Sequence, residues 1–319
     1  MAIFTMLIGL PGSGKSCYAR DYVATRHGTI IVSSDDIRQE LWGDANDQQN
    51  PAQVFDEMFI RTVSAMKRGT NVIYDATNLT AKTRKATLTR LRQALNQDFV
   101  AVADVIVCSI SECKRRQGER DRKVPDEVID RMVRQFQTPW YNEGWDTINV
   151  INCGKMQNID REHWRMLGKS HDNHHHSRSL EMHCAECEGQ VKDMLHGSTH
   201  FSESGQRMII EAAYHHDIGK NKTKTFTDNR GNPSNEAHYY NHENVGAYLW
   251  LSGDKMKEWP KETFLFIAVL IQWHMQPYFL CDKDGNYTTK FKEWCDKKGF
   301  GFLFYESICL MHEADKAAH

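Results

Sequence analysis

Short apolar runs alternate with helix-like segments through the first half of the chain. The runs AIFTMLIGL, TIIVSS, NVIYDAT, FVAVADVIVC and TINVIN are rich in β-branched residues, as buried parallel strands are. The segments between them, such as TAKTRKATLTRLRQAL, have helical periodicity. Because strands and helices that alternate in this way fold as a parallel sheet with helices on both faces, residues 1–152 are predicted to form an α/β domain.

The second half of the chain has a different pattern. Its segments are helix-like, so residues 165–319 are predicted to form a mainly α-helical domain, preceded by a linker at residues 153–164. Histidine supports this division, since only His27 of the 16 histidines precedes residue 160. A length of 319 residues also suits two hydrophobic cores better than one.

A phosphate-binding motif follows the first predicted strand. The segment GLPGSGKS fits the pattern G-x-x-x-x-G-K-[ST], with a strand before it and the helical segment KSCYARDYVATR after it. Its glycines let backbone N–H groups wrap the phosphates of ATP, Lys15 reaches the β- and γ-phosphates, and Ser16 places Mg²⁺. The predicted ATP-binding residues of this loop are Gly9, Gly12, Gly14, Lys15 and Ser16.

Acidic residues follow the second and third strands, at the edge of the sheet where ligands bind. Asp35 and Asp36 of SSDDIRQELWG would lie over the phosphate site, with Arg38 close by. A carboxylate there can accept a proton from an attacking hydroxyl and an arginine can grip a phosphate, although either aspartate would also cap the next helix. Asp75 of DATNLT is open to two similar readings, near the metal or at a helix cap.

The segment ECKRRQGERDRKVPDEVIDRM is strongly basic, with six basic residues between Lys114 and Lys123. Such a run is common on a solvated helix face. In a kinase, arginines on a lid can instead stabilise the transferring phosphoryl oxygens. Both interpretations are open from the residues alone.

Imidazole and carboxylate side chains recur at the ends of helix-like segments in the second half. MIIEAAYHHDIGKNK places His216 and Asp217 directly after an apolar segment, where burial costs free energy unless the polar groups are paired. Further histidines and acidic residues stand in LEMHC, AHYYNHENVG, IQWHM and MHEADKAAH. Imidazole and carboxylate ligands together suit Mn, Fe, Co, Ni or Zn better than Ca. A transition-metal site is therefore predicted.

Four segments occur in the order and spacing of the polynucleotide kinase branch of P-loop kinases: GLPGSGKS, SSDDIR, YDATNL and a basic segment ending in VPDEVIDRM. Residues 1–152 thus resemble the 5′-OH kinase domain of that family. The resemblance implies Asp35 as the general base for the 5′-hydroxyl and Arg38 as the residue that holds the acceptor's 3′ phosphate. Arg116 and Arg120 would be lid arginines that bind ATP. The implied catalytic residues of this domain are Lys15, Asp35, Arg38 and Arg120, and the implied cofactors are ATP and Mg²⁺.

Residues 165–319 resemble the HD-domain phosphohydrolase superfamily in the order of their histidines and aspartates. His216 and Asp217 match the pair that gives the superfamily its name, and Asp217 would be both a catalytic residue and a metal ligand. His242 and His274 fall where two-metal members have further histidines, which favours a binuclear centre bridged by Asp217 over a mononuclear one. The implied metal ligands are His183, His216, Asp217, His242, His274 and Asp315. The residues predicted to contact the substrate phosphate are His175, His176 and Lys220.

A 5′-OH kinase fused to an HD phosphohydrolase makes chemical sense as an RNA end-healing enzyme. One domain would phosphorylate a 5′-OH with ATP, and the other would remove a 2′,3′-cyclic, 2′ or 3′ phosphate so that an RNA ligase could act. The expected partners are nucleic-acid ends, with RNA favoured over DNA. Two other readings stay open: a nucleoside or metabolite kinase joined to a nucleotide phosphohydrolase, and a nucleotide-responsive sensor whose HD site binds without hydrolysis.

Composition indicates where the protein acts and how it can contact nucleic acid. A net charge of −2 gives no global basic field, so contact with nucleic acid must come from a local patch. No apolar run approaches the roughly 18 residues needed to span a bilayer, and the N-terminus lacks the basic region of a signal peptide. Nine cysteines without a framework spacing indicate reduced thiols. A cytoplasmic protein that does not act at a membrane is expected.

Overall fold

The computed structural model describes residues 1–120, 123–173, 178–282 and 286–318. The chain divides into two compact units, one of Met1–Met132 with Pro139–Met156 and one of Val133–Thr138 with Gln157–His319. The sequence did not predict that Val133–Thr138 belongs with the second unit. The domain limits at residues 152 and 165 stay predictions.

The first unit is built on a five-stranded sheet with the order β2-β3-β1-β4-β5. All four strand pairings are parallel. The five apolar runs of the sequence form the five strands of this sheet. Strands β1, β3 and β4 are buried along nearly their whole length because helices cover both faces. The strands are β1 (Ile3–Ile8), β2 (Thr29–Ser33), β3 (Asn71–Asp75), β4 (Val100–Val107) and β5 (Thr147–Asn152). The predicted α/β organisation is confirmed.

Side-chain caps define where several helices of the first unit begin. The Ser33 hydroxyl accepts a hydrogen bond from the Asp36 amide at the start of α2, and Thr80 caps α4 in the same way. The caps of these two helices are therefore hydroxyl groups, and the roles of Asp35 and Asp75 stay predictions. The helices are α1 (Lys15–Thr25), α2 (Ser34–Trp42), α3 (Pro51–Lys67), α4 (Ala81–Leu95), α5 (Ile110–Gly118) and α6 (Asp126–Gln135), with a short 3₁₀ helix at Tyr141–Glu143.

The second unit is mainly helical, as predicted. Its apolar core is centred on a helix, α12, that is buried on nearly every side, and the neighbouring helices pack against it. The helices are α7 (Ile159–Trp164), α8 (Leu180–Leu195), α9 (Glu203–His215), α10 (Lys220–Thr223), α11 (His242–Leu251), α12 (Lys261–Trp273), α13 (Gln276–Leu280), α14 (Thr289–Lys297) and α15 (Gly301–Ala317), with a 3₁₀ helix at Asp254–Lys257. Helix α7 occupies half of the segment that was predicted to be a linker.

An antiparallel hairpin interrupts the helices of the second unit, and the sequence analysis did not predict it. Its strands are β6 (Thr225–Thr227) and β7 (Pro233–His238). The turn contains Asp228, which accepts hydrogen bonds from the amides of Arg230 and Asn232. The strands are short and largely exposed, so they carry little of the hydrophobic alternation by which a strand is recognised.

Within the described residues, none of the helices combines the length and the apolar character that crossing a bilayer requires.

A buried ion pair holds the segment that follows β3. The Arg84 guanidinium donates to both carboxylate oxygens of Glu143, at 2.7 and 2.6 Å, and to the carbonyls of Asn78 and Leu79. Both charged side chains are almost wholly inaccessible to solvent. Trp145 donates a further hydrogen bond to Glu143 at 3.0 Å. The network fixes the backbone just beyond Asp75, which lies at the carboxyl end of the sheet.

We predict that Glu143→Gln destabilises the first unit by about 3–5 kcal/mol, because Arg84 would be left buried without a counter-charge. Hydrogen exchange of the β1 and β3 amides, which reports the opening of this unit, would measure the loss. Asp56→Asn is the matched control, since it breaks an ion pair with Arg90 whose side chains are both about half exposed, and it should cost at most about 1 kcal/mol. Equal protection in the two variants would contradict the prediction.

Candidate active sites

The loop after β1 in the first unit has the geometry of a phosphate cradle. Gly12 and Gly14 have φ angles of 82° and 108°, in the left-handed region that favours glycine. A Cβ at Gly12 would also overlap the carbonyl of Cys113. The buried Lys15 ammonium donates to the carbonyls of Gly9 and Leu10 at 3.0 and 2.9 Å. The Lys15 ammonium therefore lies against the phosphate loop. There it would bind phosphates together with the backbone amides of the loop.

Ser16 and Asp75 form a pair of oxygen ligands beside this loop. The Ser16 hydroxyl donates to Oδ2 of Asp75 at 2.9 Å. Burial raises the pKa of Asp75, and the nearby Lys15 opposes that rise. Burial likewise lowers the pKa of Lys15, and Asp75 opposes that change. Hydroxyl and carboxylate oxygens are ligands that Mg²⁺ prefers, so ATP and Mg²⁺ fit this site.

Asp35 and Arg38 lie one helical turn apart at the start of α2. The guanidinium donates to Oδ1 of Asp35 at 3.1 Å and to the carbonyl of Ser34 at 3.2 Å. Arg38 is buried, whereas about half of the Asp35 side chain is exposed. The arginine is thus held in place, and the carboxylate is accessible to a reacting group.

A cavity of about 520 Å³ joins these groups. It is bordered by the phosphate loop, by Asp35 and Arg38, by Asp75, and by the basic segment that leads into α6. Its basic lining residues are Lys15, Arg38, Arg120, Lys123 and Arg131. Arg120 therefore borders the same cavity as the phosphate loop, and its contact with ATP stays a prediction. Lys123 and Arg131 were not singled out, and only the basic composition of the segment pointed to them.

Arg116 is engaged beside the phosphate loop instead of lining this cavity. Its guanidinium donates to the carbonyls of Gly12 and Cys153, at 3.3 and 2.8 Å, and to the carboxylate of Glu112 at 2.7 Å. These contacts brace the loop from the side of α5. The direct contact of Arg116 with ATP stays a prediction, and a bracing role is what its contacts describe.

The second unit brings the six predicted metal ligands together. His183 lies in α8 and Asp315 in α15, whereas the other four stand at helix ends. His216 and Asp217 directly follow α9, His242 begins α11, and His274 follows α12. Each of these four side chains enters the interior as its helix begins or stops, so the separate helix termini of the sequence become one buried cluster.

Asp217 has one carboxylate oxygen in each of two groups of histidines. Its Oδ2 lies 3.5 Å from Nε2 of His183 and 3.4 Å from Nε2 of His216. Its Oδ1 lies 3.1 Å from Nε2 of His242 and 3.6 Å from Nε2 of His274. Two groups with metal-ligand spacing result, and Asp217 belongs to both.

Asp315 adds a second carboxylate to the first of these groups. Its Oδ1 lies 2.9 Å from Nε2 of His183 and 3.4 Å from Nε2 of His216. Tyr278 donates a hydrogen bond to the other oxygen, Oδ2, at 2.8 Å. Tyr278 thereby orients Asp315, a role that nothing in the segment QPYFL indicated.

The ring nitrogens of the four histidines are oriented for metal binding. In each ring Nδ1 faces a backbone carbonyl: Ala318 for His183, Ala213 for His216, Tyr239 for His242 and Ile271 for His274. A carbonyl can only accept a hydrogen bond, so Nδ1 carries the proton and Nε2 presents its lone pair to the cluster. The Nε2 atoms approach each other to 3.3 Å in one pair and 3.2 Å in the other. Two lone pairs repel at this distance, so each pair of nitrogens requires a shared proton or a metal ion between them.

The charges of the cluster point the same way. Burial alone would raise the pKa of Asp217, but Lys220 and His216 outweigh it and hold the pKa well below its usual range. Burial alone would lower the pKa of His216, but Asp217 and Asp315 raise it to about 10. Apart from the Lys220 ion pair, neither Asp217 oxygen receives a well-directed hydrogen bond from the described residues. The residues therefore fit one or two divalent metal ions.

Two predicted substrate contacts lie outside the described residues, namely His175 and His176. Lys220, the third, lies inside the site, and its ammonium is 2.5 Å from Oδ2 of Asp217. It also lines a cavity of about 590 Å³ that opens beside Asp217 and Asp315. The substrate role of Lys220 stays a prediction that this position supports.

His215, the neighbour of the metal-ligand pair, points away from the cluster. Its Nδ1 lies 2.7 Å from Nε2 of His163, and its Nε2 lies 3.1 Å from a carboxylate oxygen of Glu211. The His163 ring stacks on Tyr214 at 4.1 Å between centroids. His215 thus anchors the end of α9 in the core, so that His216 and Asp217 are held in one orientation.

Known proteins resemble the N-terminal part of this chain. Residues 4–139 match the AAA domain family. The L-seryl-tRNA(Sec) kinase of Methanococcus maripaludis is 26% identical over 151 residues, which cover 46% of this chain and 56% of that protein. The chain thus matches about half the length of this curated relative. The N-terminal part of the chain therefore matches an AAA domain model, and the curated relative that the chain resembles is a kinase.

Two solved structures, one from an RNA repair complex and one of a gluconokinase, each resemble part of this chain. A Pnkp1/Rnl/Hen1 RNA repair complex is 26% identical, covering 42% of this chain and 43% of that one, with a TM-score of 0.36. A gluconokinase from Sinorhizobium meliloti is 15% identical, covering 48% of this chain and 83% of that one, with a TM-score of 0.32. Both TM-scores lie below 0.5, and the strand order β2-β3-β1-β4-β5 of the chain itself defines the fold of the first unit.

We predict that Mn²⁺ or Zn²⁺ added to chelator-treated protein raises the unfolding temperature, because an ion that binds only the folded state stabilises it by about 4 kcal/mol at 1,000 times its dissociation constant. Asp217→Asn should remove most of this shift and lower the metal content measured by mass spectrometry. His200→Gln, an exposed histidine paired with Glu306, is the control and should behave as the wild type. Full metal content in the Asp217 variant would disprove the ligand assignment.

Proposed function

We propose that this protein heals RNA ends. The first unit phosphorylates a 5′-OH with ATP, and the second removes a 2′,3′-cyclic, 2′ or 3′ phosphate in a metal-dependent reaction. The observation that carries the proposal is the occurrence of two separate and chemically complete sets of residues in one chain. One set combines a phosphate loop with the Asp35–Arg38 pair, and the other combines four histidines with two aspartates around a shared carboxylate.

The residues of the first unit divide the kinase reaction among them. The loop amides and Lys15 bind the ATP phosphates, and Ser16 with Asp75 would hold Mg²⁺, which supplies charge neutralisation at the β- and γ-phosphates. Asp35 accepts the proton of the 5′-hydroxyl. The hydroxyl oxygen attacks the γ-phosphorus, and ADP leaves. Arg38 grips a phosphate of the acceptor strand.

The number of cations in the kinase cavity supports a polynucleotide acceptor. Five basic side chains line the cavity, whereas its lining carboxylates are those of Asp35 and Asp75, and Asp35 is paired with Arg38. The excess cations can bind phosphates of ATP and of an acceptor. A nucleoside or sugar acceptor carries no phosphodiester chain that would use them. A strand end carries one charge per nucleotide. RNA is proposed over DNA because only RNA has the 2′-hydroxyl that forms the cyclic phosphate which the second unit is proposed to remove.

The residues of the second unit support phosphoester hydrolysis. The histidines and aspartates would hold the metals, most simply two, and a bound metal supplies Lewis-acid polarisation of the phosphoryl group and a water of lowered pKa. Lys220 lines the cavity beside Asp217, and its positive charge can attract a phosphate oxygen of the substrate. Tyr278 keeps Asp315 oriented, and the carbonyls at the four Nδ1 atoms keep each imidazole in the metal-binding tautomer.

The two reactions yield the ends that a ligase joins, a 5′ phosphate and a 3′-hydroxyl. We therefore include an RNA ligase as a partner in the proposal. The cytoplasm is the compartment proposed, because the nine cysteines, all among the described residues, form no disulfide there, as is usual in a reducing environment.

We predict that an RNA oligonucleotide with a 5′-OH and a 2′,3′-cyclic phosphate gains a phosphate at one end and loses one at the other. The incubation would contain ATP, Mg²⁺ and Mn²⁺, and mass spectrometry would resolve both ends. Healing of both ends supports the proposal. No change at either end, with phosphorylation of free nucleosides instead, would overturn it in favour of a small-molecule kinase.

We predict that variants separate the two activities. Asp35→Ala should lower 5′ phosphorylation by about 10²–10⁴-fold through loss of the general base, while end dephosphorylation stays unchanged. Asp217→Ala should abolish dephosphorylation and leave the kinase active, because the two residues lie in different compact units.

Matched controls are available for both changes. Asp36→Ala removes the exposed aspartate next to Asp35, and Asp193→Ala removes an exposed aspartate of α8. Both controls should retain both activities. Loss of both activities in either folded active-site variant would refute the two-site assignment.

A further inference from the structure

The cavity beside the metal cluster has an aromatic lining. Its volume is about 590 Å³, and Asp217, His242 and Asp315 contribute to its inner end. Four aromatic side chains also border it, Tyr239 and Tyr240 after the β6–β7 hairpin and Tyr278 and Phe279 in α13. A site that took only inorganic phosphate or a small polar ester would have no use for so much aromatic surface.

Two of the four aromatic residues, Tyr239 and Tyr278, form hydrogen bonds and ring contacts within the protein. The Tyr239 hydroxyl donates to the carbonyl of His171 at 2.6 Å, and its ring lies 5.5 Å from the Lys220 ammonium. Tyr278 donates to Asp315 and packs edge-on against His312 at 4.5 Å. These two residues hold the charged groups at the floor of the cavity.

The other two aromatic residues offer accessible ring surface. Phe279 is 70% exposed and Tyr240 is 39% exposed, although both border the cavity. The orientation of the Tyr240 ring is restricted by His238. The two rings are stacked, with an interplanar angle of 10° and a centroid distance of 5.3 Å. His238 is itself held by a contact of 3.0 Å with Ser234 in the hairpin. The hairpin therefore presents a supported ring face, and α13 presents an exposed one.

We propose that these rings are a base-stacking subsite for the terminal nucleotide of a single-stranded RNA, a refinement that rests on the function proposed above. A flat nucleobase gains about 1–3 kcal/mol by stacking on an aromatic side chain, and every base has a suitable face. Stacking holds the nucleoside while its terminal phosphate lies at Lys220 and the metal ligands. The second unit thus selects phosphate esters that carry a nucleobase, with little preference among the four bases.

A binding experiment tests the subsite without any need for turnover. The probe is a short RNA with 2-aminopurine as its 3′-terminal nucleotide and a 3′ phosphate, and its fluorescence falls when the base stacks. Wild-type protein, stripped of metal by a chelator, should quench the probe, and Phe279→Ala combined with Tyr240→Ala should not. Phe302→Ala is the control, because Phe302 is 64% exposed but does not border the cavity.

A kinetic comparison tests its role in selection. The substrates are an RNA ending in a 2′,3′-cyclic phosphate and glycerol 1,2-cyclic phosphate, which has the same reacting group and no base. Phe279→Ala should lower kcat/KM on the RNA roughly 5- to 150-fold, and leave the rate on the glycerol ester unchanged. Equal loss on both substrates, or on neither, would overturn the subsite while leaving the hydrolase intact.

Failure of the proposed function gives a different result. If the wild type hydrolyses neither substrate with any metal, the hydrolase assignment fails. Quenching that depends on Phe279 and Tyr240 would then still support a nucleotide-stacking site. If the variant that combines Phe279→Ala with Tyr240→Ala still quenches the probe, the stacking site is overturned as well.

Discussion

A charge buried in this protein has to be balanced by another charge or by hydrogen bonds, and that constraint shapes both units. The low accessibility of Asp217 would push its carboxyl toward the neutral form, yet the surrounding cations keep its pKa low. In the first unit the same constraint joins Arg84 to Glu143 and folds Lys15 onto the carbonyls of its own loop. These pairings cost free energy if one member is removed, so they specify single arrangements of the backbone around each site.

The kinase unit separates fixed parts from accessible ones. The phosphate loop is braced by Arg116 and by the contact of Ser16 with Asp75, while the Arg84 network holds the backbone that follows β3. Asp35 stands in front of this frame with half of its side chain exposed. In the proposed kinase reaction, a rigid cradle beside an accessible carboxylate would fix the phosphate donor before the acceptor arrives.

The second unit obtains its site from helix ends. A side chain at the end of a helix can point along the helix axis into the space beyond, and four of the six ligands use this position. Where the ends of α9, α11 and α12 meet, Asp217 lies among the Nε2 atoms of the histidines, and a bound metal ion would offset the repulsion between their lone pairs. Lys220 contacts Oδ2 of Asp217. The anchoring of His215 to His163 and Glu211 shows that core packing was also used to orient this corner of the molecule.

The sequence by itself determined the types of the main elements, apart from the β6–β7 hairpin and α7, and the residue types of the sites. The alternation of apolar runs predicted the parallel sheet and the helical second half, and the local spacing of GLPGSGKS singled out the phosphate loop, because both signals lie within a few neighbouring residues. The order of His183, His216, Asp217, His242, His274 and Asp315 pointed to a metal centre through its resemblance to a superfamily. The structure brings these six residues together.

Only the tertiary structure decided which atoms face each other. The division of Asp217 between two histidine groups, the support of Asp315 by Tyr278, the placement of Arg116 beside the loop and the short hairpin before Tyr240 all depend on contacts between residues far apart in the chain. A local pattern carries no record of such distances. It reports which face of an element is apolar, whereas the partner that meets a polar side chain is set by how the elements pack.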